Sequence, residues 1–104
     1  MLTSFYLVLA ILLEVAGTTS MKLSEGFTKL GPSILIFVFY IFSFVFLTLT
    51  LKRLELSLAY AIWAGLGTSL IAVIGVFFFH EPMTMMKGIS LIFVISGVVG
   101  LKMS

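Results

Sequence analysis

Cysteine is missing altogether from this chain of 104 residues, and charged side chains are scarce at 10%. The first absence excludes disulfides, iron–sulfur clusters and thiolate metal sites, although it says nothing of the compartment. The second excludes an ordinary soluble domain, in which about a quarter of the residues are charged. A net charge of +2, dispersed over loop ends, is too small for a nucleic-acid partner. Nucleotide-binding motifs are absent, and the apolar runs hold no Ser–His or paired-acid constellation, so no enzymatic activity and no cofactor is expected. The single histidine, His80, has only Glu81 beside it, which is not metal-ligand spacing.

What is there is apolar. Hydrophobic residues make up 62% of the chain, and the mean hydropathy is +1.32. Four runs, 3–21, 33–51, 56–79 and 88–101, lie between the charged clusters. About 20 apolar residues span a bilayer core as a helix. Three runs qualify outright; the fourth does so once Met83 to Met86 extend it and Lys87 snorkels toward the headgroups. The expected fold is an all-α membrane protein, a single four-helix domain over residues 1–104 with helices near 3–21, 33–51, 56–79 and 84–103. The first run lacks a basic leader and a small-residue cleavage site, so it reads as a retained helix rather than a signal peptide.

Short connections force neighbouring helices antiparallel. The first loop carries Ser24, Gly26, Gly31 and Pro32, the last suited to the first turn of the next helix; the second spans only 52–55. Loops one and three hold Lys22, Lys29 and Lys87, while loop two and the C-terminal end hold Lys52, Arg53 and Lys102. Lys and Arg normally set orientation by their excess on the cytoplasmic side. Three against three sets none. Such a chain can insert both ways and pair as an antiparallel homodimer, building with two copies what inverted repeats build within one. Insertion timing or local lysine position can also fix a single orientation.

Glu14 is the one charged residue inside the first run. A charged group at mid-membrane costs about 2.5 to 3.5 kcal/mol on insertion scales, so this acid is read as functional. No base lies in any apolar run to pair with it. The neighbouring positions Ala10, Gly17, Thr18 and Met21 are mostly small or weakly polar, which leaves space for a helix or a ligand, and Thr18 lies one turn away, within hydrogen-bonding reach. A carboxyl withdrawn from water, near a second copy of itself, can exchange a proton for a cation.

On the third helix Tyr60, Trp63 and Gly67 share a face, and Gly65 and Gly67 suit a bend or a close helix contact. Aromatic faces attract desolvated cations by about 2 kcal/mol or more. Tyr60 near the membrane edge also fits an interfacial anchor; Trp63 lies nearly two turns further in. The second helix carries Phe37, Tyr40 and Phe44 with Ser43 beside them; Tyr40 and Ser43 are candidate binding residues, and the Tyr40 hydroxyl needs a polar partner. In the fourth helix Ser90 and Gly97 share a small face with Gly100 close by, a pattern for tight packing against a partner copy or within the monomer.

Glu14-Val15-Ala16-Gly17-Thr18-Thr19, Met21-Lys22, Ser24-Glu25-Gly26-Phe27-Thr28 and the string from Ala59 to Gly67, Ala-Tyr-Ala-Ile-Trp-Ala-Gly-Leu-Gly, resemble the small multidrug resistance family of proton-coupled exporters. The resemblance covers essentially the whole chain. It implies an antiparallel homodimer in a bacterial cytoplasmic membrane, whose two Glu14 carboxylates bind protons or organic cations. It further implies that Tyr60, Trp63 and Tyr40 line the site and that Gly65 and Gly67 bend the third helix. Guanidinium exporters of the family typically carry Trp one turn after the glutamate; Gly17-Thr18 here favours exporters of lipophilic and quaternary-ammonium cations. Ser90 departs from a glycine frequent in multidrug members. Two readings of other kinds stay open: a proton-ring subunit, which has no use for the aromatic cluster, and an accessory subunit binding anionic headgroups, which would want a base inside the bundle.

Overall fold

The structure, a computed structural model, describes residues 2–104. It consists of four helices, α1 (Leu2–Leu23), α2 (Leu30–Thr50), α3 (Leu56–Phe78) and α4 (Met85–Met103). All four are long and apolar enough to cross a membrane. A helix satisfies its own backbone within the segment, which is what a lipid environment demands. The particle is flat, 43 × 35 × 18 Å, and its large apolar side chains point mostly outward, where lipid or another subunit must cover them.

The helices overrun the charge-bounded runs where local capping allows. Lys22 is absorbed into the last turn of α1, where a cation suits the negative end of the helix dipole. α2 begins at Leu30, so Pro32 falls in its first turn, where its missing N–H has no intrahelical role. α4 starts at Met85 because Thr84 caps it, its hydroxyl accepting the Lys87 N–H at 3.1 Å. Lys87 turns its ammonium back to donate to the Pro82 carbonyl at 2.9 Å. Between α1 and α2 the chain reverses through three left-handed residues, Glu25, Gly26 and Phe27, with φ of 48°, 73° and 68°. Buried Ser24 holds this turn, donating to the Met21 carbonyl at 2.8 Å and accepting the Phe27 N–H at 3.2 Å. On the exposed turn Lys29 pairs with Glu25 at 2.8 Å and holds its carboxyl below the usual carboxylate range.

Packing is uneven. α1 and α2 form the tightest pair, α3 lies against α1, and α4 touches chiefly α3. The core is a short column of Leu7, Ile11 and Val15 on α1, against which Leu47, Ile62, Trp63, Ile71 and Ile74 lean. No residue of α4 is buried. Gly65 lets that helix approach: a Cβ there would stand 2.6 Å from Val98 Cγ2. The glycine pair of α3 serves close approach within an uninterrupted helix, the second of the two uses its spacing suggests.

Candidate functional site

The carboxylate of Glu14 lies at the α1–α3 seam, and its two oxygens differ in their surroundings. Oε1 accepts the Thr18 hydroxyl at 3.1 Å, across one helical turn. A threonine hydroxyl has one proton, so Tyr40 is the donor in its own short hydrogen bond with Thr18 Oγ1. A hydroxyl chain therefore runs from α2 through Thr18 to the acid. Oε2 is buried and has no hydrogen-bond partner. It points at Gly67, whose missing side chain makes room for it: a Cβ there would be 2.7 Å away. Trp63 Nε1 is likewise buried and unpartnered. Buried polar groups ordinarily find partners, so two orphans in one place mark a site completed by something else.

A cavity of about 300 Å³ opens at these groups, lined by Glu14, Thr18, Trp63, Ala64, Gly67, Thr68 and Ile71. Its walls are mainly apolar, which keeps the dielectric low around one acid and strengthens its pull on a cation. Beside it runs an aromatic ladder from α2 to α3. Tyr40 meets Phe44 with ring centres 5.8 Å apart, Phe44 meets Trp63 at 6.1 Å, and Trp63 meets Tyr60 edge-on at 5.5 Å. Tyr60 is the outer rung, 57% exposed and outside the cavity lining, while Trp63 forms part of the wall.

Several residues singled out from sequence fall elsewhere. Ser43 is fully buried and donates to the Ala10 carbonyl at 2.7 Å, so it pins α2 to α1 instead of facing the cavity. The space around Gly17 is taken: a Cβ there would meet the Tyr40 ring at 2.7 Å. The small residues on this face of α1 thus admit a helix, and a ligand must approach Glu14 from α3. Ser90 and Gly97 are exposed, with nothing within 4 Å of a Cβ built at Gly97, so this small face of α4 makes no packing contact there within the monomer. His80 is exposed in the third loop, away from the cavity. Ala64, Thr68 and Ile71, which sequence reasoning passed over, continue the Tyr60–Trp63–Gly67 stripe at helical spacing and could have been found by extending it.

A family model described as Small Multidrug Resistance protein matches residues 2–94. The chain is 57% identical to an uncharacterised membrane protein of Bacillus subtilis, YvaE, over 94% of this chain and 82% of the relative. It is 46% identical to the multidrug resistance protein EbrB of Bacillus subtilis, covering 95% and 85% of the two chains. It is 42% identical to the quaternary ammonium compound-resistance protein QacH of Staphylococcus saprophyticus, covering 90% and 88%. With four apolar spans and bacterial relatives of this kind, it is an integral multi-pass protein of the bacterial cytoplasmic membrane.

Proposed function

We propose, from the premise that this chain belongs to the small multidrug resistance family, that it exports lipophilic and quaternary-ammonium cations in exchange for protons at Glu14. The observation that carries this reading is the unpartnered Oε2 of Glu14, buried at the edge of a largely apolar cavity beside Trp63. Such an oxygen is satisfied either by a proton on it or by a cation beside it, and the two compete for one place. The names of EbrB and QacH suit a hydrophobic, aromatic site that tolerates varied organic cations.

The working unit is an antiparallel homodimer. Its support is the even split of loop charges and the exposed apolar face of α4 with Gly97 at its surface. Two Glu14 side chains then share one chamber. A cation entering from the cytoplasm is held by their charge and by Trp63 and Tyr60, and it displaces protons. When the two protomers exchange conformations the chamber opens outward, and protons from the more acidic side displace the cation. Because both ligands use the same carboxylates, antiport needs no second ion site.

The test is binding of tetraphenylphosphonium to the purified protein across pH, with Glu14→Gln alongside. Binding should be strong at high pH, fade on acidification and vanish in the variant. Binding that is independent of pH, or retained by Glu14→Gln, refutes the shared site.

A further inference from the structure

A second cavity of about 160 Å³ neighbours the one at Glu14, since Thr18 and Ile71 line both, and it lies between α1 and α3 on the side of the third loop. Its outer rim is formed by Lys22 on α1, Gly75 at the end of α3, and Glu81 in the third loop.

The third loop is built to put the acid there. The Gly75 carbonyl accepts two N–H groups, from Phe79 at 3.2 Å and Glu81 at 3.0 Å. His80, between them, takes the left-handed conformation at φ 56°, which folds the chain back over the helix end. The Glu81 carboxylate then rests on Gly75 so closely that a Cβ on that buried glycine would overlap it.

Stability does not explain the placement. The C-terminal end of a helix carries partial negative charge and favours cations, so a carboxylate there is repelled. Lys22 shares the rim yet does not close to ion-pair distance: among the described residues the ion pair found is Lys29 with Glu25. The acid and the helix end make the α3 side of this mouth locally negative, facing the Lys22 ammonium on the α1 side.

Resting on the exchange reading above, we propose that Glu81 is the access residue of this passage: it draws organic cations to the mouth between α1 and α3, ahead of their binding at Glu14. In an antiparallel pair one Glu81 stands at each membrane face, so the same device serves both mouths. Its role is in capture, since the ligand's final seat lies beyond Thr18 and Ile71.

The experiment is initial-rate ethidium transport by the full-length protein in zwitterionic phosphatidylcholine vesicles, at low salt and at ~1 M salt. At ~1 M the screening length falls to about 3 Å, so attraction over a longer range is lost. At low salt, Glu81→Gln should raise KM by about threefold to tenfold with the maximal rate preserved, at or below the tenfold low end of what charge steering by a whole cleft gives. Glu81→Asp should restore KM, Glu81→Lys should raise it further, and at high salt all four proteins should converge. Tetraphenylphosphonium binding at high salt, equal for Glu81→Gln and the unaltered protein, certifies an intact site. An unchanged KM in Glu81→Gln at low salt overturns the proposal. So does a loss of maximal rate common to Glu81→Gln and Glu81→Asp, which makes Glu81 a structural cap. Should the unaltered protein bind no organic cation, the exchange reading fails and this inference falls with it.

Discussion

Replacing Gly67 by alanine tests the site where its geometry is tightest. The added Cβ would lie 2.7 Å from Glu14 Oε2 and 3.6 Å from Glu14 Cδ, about 0.7 Å inside ordinary contact with the oxygen. The oxygen must move, because Gly67 belongs to a continuous helix backbone. Oε1 of the same carboxylate is tethered to Thr18 at 3.1 Å, so a retreat transmitted in full stretches that hydrogen bond beyond useful length. A hydrogen bond to a charged group contributes about 1.5 to 3 kcal/mol, and forced overpacking costs a similar roughly 1 to 3 kcal/mol. Part of this relaxes, because the clash falls on the end of a side chain. A net loss of roughly 1 to 3 kcal/mol in cation binding weakens tetraphenylphosphonium by about fivefold to 150-fold. Folding should suffer less than binding, since alanine within a helix is favoured over glycine by about 0.5 to 1 kcal/mol, which offsets part of the overpacking. Titrating tetraphenylphosphonium into Gly67→Ala at high pH, beside a thermal melt, separates the two effects. Affinity within about twofold of the unaltered protein, in a variant that melts normally, would mean that the carboxylate is not held against Gly67 when it binds.

Three further outcomes follow from contacts described above. Ser43→Ala should cost about 1 kcal/mol of stability through the lost bond to Ala10, lowering the melting temperature while leaving cation affinity unchanged; the reverse pattern would return Ser43 to the substrate wall. Gly65→Val should drive α4 away from α3 at Val98 and lower the melting temperature, by an overpacking cost of about 1 to 3 kcal/mol, and a normal melt would refute that contact. Trp63→Ala should weaken binding by up to about 2 kcal/mol, most for aromatic cations; an equal loss for every cation would make Trp63 a packing residue only.

The fold was legible because the bilayer imposes one length on every apolar run, and only the ends shifted, by the capping of Thr84 and the tolerance of Pro32 in a first turn. Glu14 and Trp63, which line one cavity, stood out for the same reason: a charge or an indole deep in such a run is conspicuous. Ser43 was misread because periodicity tells which residues share a face of α2 but not which way that face turns. The pairing of Gly67 with a carboxylate on another helix depends on the relative height of α1 and α3, which no local pattern encodes. Glu81 lay in a polar loop, where an acid draws no notice; only the left-handed turn at His80 brings it back over α3.

The clamp between the first two helices also bears on how such a protein changes over generations. Ser43 bonded to Ala10, and the Tyr40 ring filling the place of a side chain at Gly17, leave little room for larger side chains at Ser43 and Gly17 without parting α1 from α2. Ala64 and Thr68 on α3 face the cavity and take no part in that seam. Substitutions at Ala64 and Thr68 can therefore reshape the cavity with less disturbance of the fold than substitutions at Gly17 or Ser43, so change of ligand range has more room on α3 than in the clamp of α1 and α2.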